Sequence, residues 1–216
     1  MQKGRFISFE GSEGCGKTTQ IRLLAEVLSQ AGEQVLLTRE PGGTAVGERI
    51  RDLLQYTAEA AAMTSEAELL LFAASRAQLV HEVITPALAE GQWVIADRFL
   101  DSTTVYQGLG RGLDADAVRA INHFAVGGVT PDLTYLLDMD AAAGHERATS
   151  ASQTEGKPDR MEDQPIEFFE TVRQGYLDLA AVETERMVVI DASGSVEEAH
   201  AGIKDVFKNR YDEFSA

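Results

Sequence analysis

Residues 11–18 read GSEGCGKT, and the order of residue types in that octapeptide sets the fold expected around it. The pattern G-x-x-x-x-G-K-[ST] puts glycines where the backbone must curl for successive N–H groups to converge on an anion, followed by a lysine and a hydroxyl residue. The flanks agree. Arg5 to Glu10 (RFISFE) is a short run of strand type, and Lys17 to about Gln30 carries Ile21, Leu24, Ala25 and Leu28 on one helical face. Strand, loop and helix N-terminus together make a cradle for the phosphates of a nucleoside triphosphate. Its expected contacts are Gly11, Ser12, Glu13, Gly14, Cys15, Gly16, Lys17, Thr18 and Thr19, with Lys17 on the β and γ phosphates and the Thr18 hydroxyl a ligand of Mg²⁺. The bland alternative is a glycine-rich turn with no ligand. Cys15 reads as a small filler rather than a redox switch.

Outward from this loop, short apolar runs alternate with amphipathic stretches, the signature of an α/β protein. Strands are expected at Gln34–Thr38, Trp93–Ala96, Leu133–Leu137 and Met187–Ile190. Helices are expected around Val46–Leu54, over Ser65–Glu90 with a kink or break at Pro86, at Leu113–Val126 behind an Asp114 cap, and from a Ser195/Glu198 capping box to about Tyr211. The result is a five-stranded parallel sheet with helices on both faces, a P-loop NTPase fold. Residues 148–163 (ATSASQTEGKPDRMED) are polar and rich in small residues, and read as a mobile lid loop.

The chain of 216 residues reads as a single domain, 1–216, and its formal net charge of -16 argues against nucleic acid or an anionic membrane as partner. No run approaches the length of a membrane helix. One cysteine and an N-terminus without an apolar leader point to the cytoplasm. A small phosphorylated ligand remains compatible with that charge if arginines gather locally. Strand ends deliver Arg39 with Glu40, Asp97 with Arg98, and Asp138 with Asp140 to the edge where open α/β sheets bind ligands. Asp97 falls near the expected Mg²⁺. Surface ion pairing is the competing reading for each arginine. Phe72 and Arg76, four apart on a helix, could stack on a nucleobase and donate to its exocyclic oxygen, although periodicity alone makes Phe72 a core residue. The four histidines are scattered, without metal-ligand spacing.

Taken together, FEGSEGCGKTTQ, TREPGGT, LLLFAASRAQ, DRFLDSTTVYQGLGRG, PDLTYLLD and DRMED resemble, in order, segments of bacterial-type thymidylate kinases over nearly the whole chain. The resemblance implies a homodimeric P-loop nucleoside monophosphate kinase that uses ATP and Mg²⁺ to convert dTMP to dTDP. It implies that Phe72 stacks on thymine, Arg76 reaches its exocyclic oxygen, Thr103 and Gln107 bond the base, and Tyr106 lies beside the deoxyribose. Arg39, Arg51 and Arg98 fall near the dTMP phosphate, and Glu13 near the acceptor sugar. Asp97 positions the metal with Thr18, Lys17 and Arg98 are catalytic, and Arg160 is the lid arginine over the transferring group. The lid here is longer and less basic than the family pattern, so Arg147 and Lys157 are candidate helpers. A kinase for another nucleoside monophosphate or a deoxynucleoside, and a non-enzymatic P-loop scaffold, are the alternatives. A GTP switch is disfavoured, as there is no N-K-x-D segment.

Overall fold

A computed structural model describes residues 4–57, 60, 62–155, 160–161 and 164–211. Five parallel strands, β1 (Arg5–Glu10), β2 (Val35–Arg39), β3 (Trp93–Asp97), β4 (Leu133–Asp138) and β5 (Met187–Asp191), lie in the order β2-β3-β1-β4-β5. Each strand expected from the sequence is present, four of them reaching one residue further at the carboxyl end. That end is where the ligand-facing residues sit.

The period-two alternation of β1 assigns its neighbours. Ile7 and Phe9 pack with Ile21, Leu24 and Leu28 of α1 (Lys17–Gln30) and Ile203 and Phe207 of α9 (Val196–Arg210). Phe6, one register away, packs on the other face with Leu79, Ile84 and Phe99. Ser8 and Glu10 follow Phe6 onto that second face, where Ser8 meets Thr134 at 2.7 Å. β1 therefore sets two polar side chains into the core of that second side.

The second side carries α3 (Ser65–Leu79), α4 (Thr85–Ala89), α5 (Leu100–Thr103), α6 (Ala115–Val126) and α8 (Ile166–Val182), with α2 (Ala45–Gln55) packed on α3. The long helix does not break at Pro86. It widens into a π turn at Val80–Ile84, immediately before the proline, because a ring without an N–H and in conflict with the preceding turn is accommodated by loosening that turn. The expected caps form: Asp114 accepts from Ala117 N, and Ser195 and Glu198 make both bonds of the capping box.

The lid expectation needs correction. α7 runs from Ala141 to Glu155, so Ala148 to Glu155 are helical rather than loop. This stretch holds no proline or glycine, and its alanines, glutamine and glutamate tolerate a helix, which outweighs the serines and threonines. Lys157 and Asp159 lie outside the described residues. Among the described residues no helix is long and apolar enough to cross a membrane.

Candidate functional site

β1 is flanked by β3 on one side and β4 on the other, so the chain's first loop opens at the reversal point of the strand order. A cavity of about 740 Å³ lies there, lined by the loop after β1, the ends of β2 and β3, and residues of α2, α3, α5 and α7. Its volume is in the range of small-molecule sites.

At the loop end, Gly11, Gly14 and Gly16 take φ of 134°, 71° and 90°, conformations closed to side-chain-bearing residues without strain. Lys17 folds back on its own loop, its Nζ donating to the carbonyls of Gly11 (3.1 Å) and Ser12 (2.9 Å). Thr18 Oγ1 donates to Asp97 Oδ2 at 3.0 Å, which places two hard oxygen donors side by side at the cavity wall. Gly14 lies against the backbone of α7. A Cβ on Gly14 would collide with the Gly144 carbonyl, and one on Gly144 would meet the Glu13 carbonyl at 2.6 Å. One turn after Gly144, Arg147 lines the cavity.

The opposite wall comes from the segment after β3. Thr103, Tyr106 and Gln107 stand at i, i+3 and i+4 across the junction of α5 and a π-helical stretch, Thr104–Gly110, so one face presents all three to the cavity. Phe72, half-buried on α3, lines the cavity too, rather than lying in the core as periodicity alone suggested. Arg39 and Arg51 complete this side. Arg39 Nη2 holds both oxygens of Glu48, while Arg51 Nη1 donates to the Pro41 carbonyl.

Arg98 joins the two walls. It is the one non-glycine residue with positive φ (68°) among those described, a strained conformation that aims its side chain across the end of β1. Its guanidinium donates to Glu13 (2.9 Å), the Gly11 carbonyl (2.9 Å), Ser102 and Tyr176, and lies 5.1 Å over the Tyr106 ring. Tyr106 donates to the other oxygen of Glu13 at 2.6 Å. Burial pushes the Tyr106 phenol far up, so it stays a donor.

Behind Arg98 lies Glu10, fully buried, which accepts from Phe99 N (2.8 Å), Ser102 Oγ (2.6 Å) and Tyr176 Oη (2.8 Å). Burial, aided by the charge of Asp101 and opposed by Arg98 and the two hydroxyls, pushes its carboxyl up to about 7. No sequence motif announced Ser102 or Tyr176. Only the side of β1 on which Glu10 falls pointed to this network.

Two expected site residues sit elsewhere. Arg76 is 1% exposed and lies beneath the cavity wall, its donors taken by Glu40, Asn122 Oδ1 (2.7 Å), Thr103 Oγ1 (3.0 Å) and the Phe99 carbonyl (3.2 Å). A guanidinium that buried needs a full set of acceptors, and Glu40, pushed upward by burial against the pull of Arg76, is its counter-charge. Arg160 lies away from the phosphate loop. It bonds the Leu54 carbonyl (3.1 Å) and Glu68, a buried carboxylate on α3 that draws it with Arg111. Among the described residues of this region, Arg147 is the cation that lines the cavity.

A family model described as thymidylate kinase matches residues 9–203. The chain is 49% identical to the thymidylate kinase of Geobacter sulfurreducens over 209 residues, covering 96% of this chain and 98% of that one. It is 47% identical to that of Deinococcus radiodurans, over 94% and 96% of the two chains. The crystal structure of thymidylate kinase from Ehrlichia chaffeensis aligns with a TM-score of 0.77 at 35% identity, covering 95% of this chain and 99% of that one.

Proposed function

The chain belongs to the thymidylate kinase family, and we propose that its cavity transfers the γ-phosphoryl group of ATP to dTMP, giving dTDP and ADP. The observation that carries this reading is Arg98, which touches the phosphate loop and faces Tyr106 and Ser102 of the opposite wall at once. Such a residue is suited to a reaction between two phosphates held head to head.

ATP occupies the loop end. Its phosphates take the N–H groups of residues 11–19, and Lys17 exchanges the loop carbonyls for phosphate oxygens. dTMP occupies the wall of Phe72, Thr103, Tyr106 and Gln107, with its phosphate toward Arg39, Arg51 and Arg98 and its sugar near Glu13. Arg76 holds Thr103 and Glu40 in place from behind rather than touching the base. A dTMP phosphate oxygen, already anionic because its second pKa is about 6, attacks the γ phosphorus, and the bond to the β–γ bridging oxygen breaks. No general base is required. Arg147, one helical turn from the loop contact, is the candidate for steadying charge on the transferring group.

Thr18 and Asp97 fit Mg²⁺, which favours one or two protein oxygens and leaves its other positions to phosphate and water. When bound, it supplies charge neutralisation at the β and γ phosphates.

A cavity drawing on residues from Glu13 to Met161 supports reading the chain as one kinase domain. Leu70 of α3 and Phe124 of α6, 56% and 87% exposed on adjacent helices, suit burial against a second copy in a homodimer. The free thiol of Cys15 agrees with a reducing cytoplasm. The deciding experiment is ADP release from ATP with and without dTMP. Release independent of dTMP, or absent with it, overturns the reading in favour of another acceptor or a binding scaffold.

A further inference from the structure

Gln107 forms part of the wall proposed for the pyrimidine, and a glutamine amide is ambiguous there. Its nitrogen donates and its oxygen accepts, so a 180° flip reverses what a base encounters. The base edge it faces is where thymine and cytosine differ, since N3 of thymine carries a hydrogen and N3 of cytosine a lone pair. Some other group must choose the flip if the wall is to discriminate.

The structure holds such a group. Gln107 Nε2 donates to Glu68 Oε1 at 2.8 Å, and Glu68 is 2% exposed, so water does not compete for that position. Arg111 Nε bonds the same oxygen at 3.2 Å, and Arg160 bonds the other. Burial alone would push Glu68 up, but the hydrogen bonds from Gln107 and Arg160 and the charge of Arg111 hold it below the usual range. An ionised carboxylate only accepts. A flipped Gln107 would set its carbonyl oxygen against that carboxylate, two acceptors facing each other without a proton in a dry site.

We propose that Glu68 is a positioning residue for pyrimidine choice: it fixes the Gln107 amide with nitrogen inward, leaving the carbonyl oxygen to accept from N3–H of thymine or uracil and to repel N3 of cytosine. Arg111 and Arg160 act one step further back, by keeping Glu68 an acceptor. This assigns Arg160, brought in by the DRMED segment, to base reading rather than to the phosphates. The inference rests on the acceptor site proposed above.

The test is the ratio of kcat/KM for dTMP to that for dCMP, with dUMP as a second N3–H substrate. In Glu68→Gln, an amide at position 68 can donate or accept, so Gln107 is free to flip. The ratio should fall at least about tenfold, the scale set by one misplaced buried hydrogen bond, through a raised KM for dTMP and a gain with dCMP, while KM for ATP holds. A merely structural role predicts lower thermal stability with the ratio unmoved, and that result overturns the proposal. The double variant Glu68→Gln/Gln107→Glu restores an acceptor-only group to the wall beside an amide donor, and should return the ratio toward the wild-type value. A folded double variant that still fails to discriminate also overturns it, and this arm carries the test if the single variant does not fold. Wild-type protein without dTMP-dependent ADP release would instead refute the acceptor site itself, an outcome distinct from an active enzyme whose ratio ignores residue 68.

Discussion

At one end of the cavity, Glu13, Gly14, Gly16, Lys17, Thr18 and Thr19 line the wall in one near-continuous run, the end proposed to hold the triphosphate on backbone N–H groups and one lysine. At the other, Arg39 of β2, Phe72 of α3 and the stretch after β3 that carries Arg98, Thr103, Tyr106 and Gln107 converge, and their polar groups are already paired with carboxylates, hydroxyls or carbonyls. The first end works through peptide geometry, which any sequence with glycines in the right places reproduces. The second works through side chains braced by other side chains, so its properties depend on residues that never touch a ligand.

Variants can break that contrast. Lys17→Ala should have the largest effect, a loss of kcat on the order of 10³-fold, because it removes the one cation of a loop that otherwise offers phosphate mainly backbone N–H groups. Folding should survive, since Lys17 bonds carbonyls and a thiol of its own loop. Steady-state kinetics with a thermal melt check both halves. A loss smaller than that of Arg98→Ala would invert the comparison.

Arg98→Ala should lower kcat/KM for dTMP by about 10²- to 10³-fold while binding of a fluorescent ATP analogue shifts only a few-fold. Equal losses at both substrates would mean that Arg98 belongs to the loop end, which it also touches through the Gly11 carbonyl.

A third probe concerns Glu10, the buried brace of Arg98. Its folded-state carboxyl titrates near 7, above the ordinary value of 4.5. Its favourable contribution is therefore complete below about pH 4.5 and is lost as pH rises through 7, because the folded form binds the extra proton across that window. Glu10→Gln has no proton to lose. Its stability relative to wild type should rise by on the order of 2–3 kcal/mol between pH 5 and pH 8, read from urea midpoints. A difference independent of pH would show that Glu10 is ionised throughout.

The smallest effect separates the two lid-side arginines. Arg147→Ala should cost about tenfold in kcat, as expected for an exposed cation reaching toward the transferring group. Arg160→Ala should leave kcat nearly intact and lower the melting temperature by a few degrees, the scale of a partly buried ion pair in a chain of this length. The reverse pattern would return Arg160 to the phosphates.

The same contrast explains what the sequence disclosed. The loop end was legible because its residues are contiguous and each type has a backbone reason to be there. The strand ends were legible because the sheet's parallel order sends every carboxyl end to one edge. Arg76 and Arg160 were misplaced for a shared reason. Motif order says that an arginine is present but not which carboxylate claims it, and Glu40 and Glu68, both buried, claim these two. Serines and threonines from Ala148 to Glu155 suggested a loop, and the absence of proline or glycine within that stretch decided otherwise. Ser102, Tyr176 and Glu68 carried no signal, as their roles arise only where β1, α3, α5 and α8 meet.

The contact between Gly14 and Gly144 ties the two architectures together. The positions are 130 residues apart in sequence, yet a methyl group on Gly14 would collide with the Gly144 carbonyl, and one on Gly144 would collide with the carbonyl of Glu13, the residue before Gly14. They amount to one constraint written twice. In a library of random variants, substitutions at Gly14 and Gly144 should be depleted alike, although only Gly14 lies within the octapeptide, at a position its pattern leaves open. A designer grafting this loop onto another scaffold would have to carry the first turn of α7 with it. The heritable unit of the nucleotide site is therefore a loop plus a helix face, larger than the octapeptide by which it is recognised.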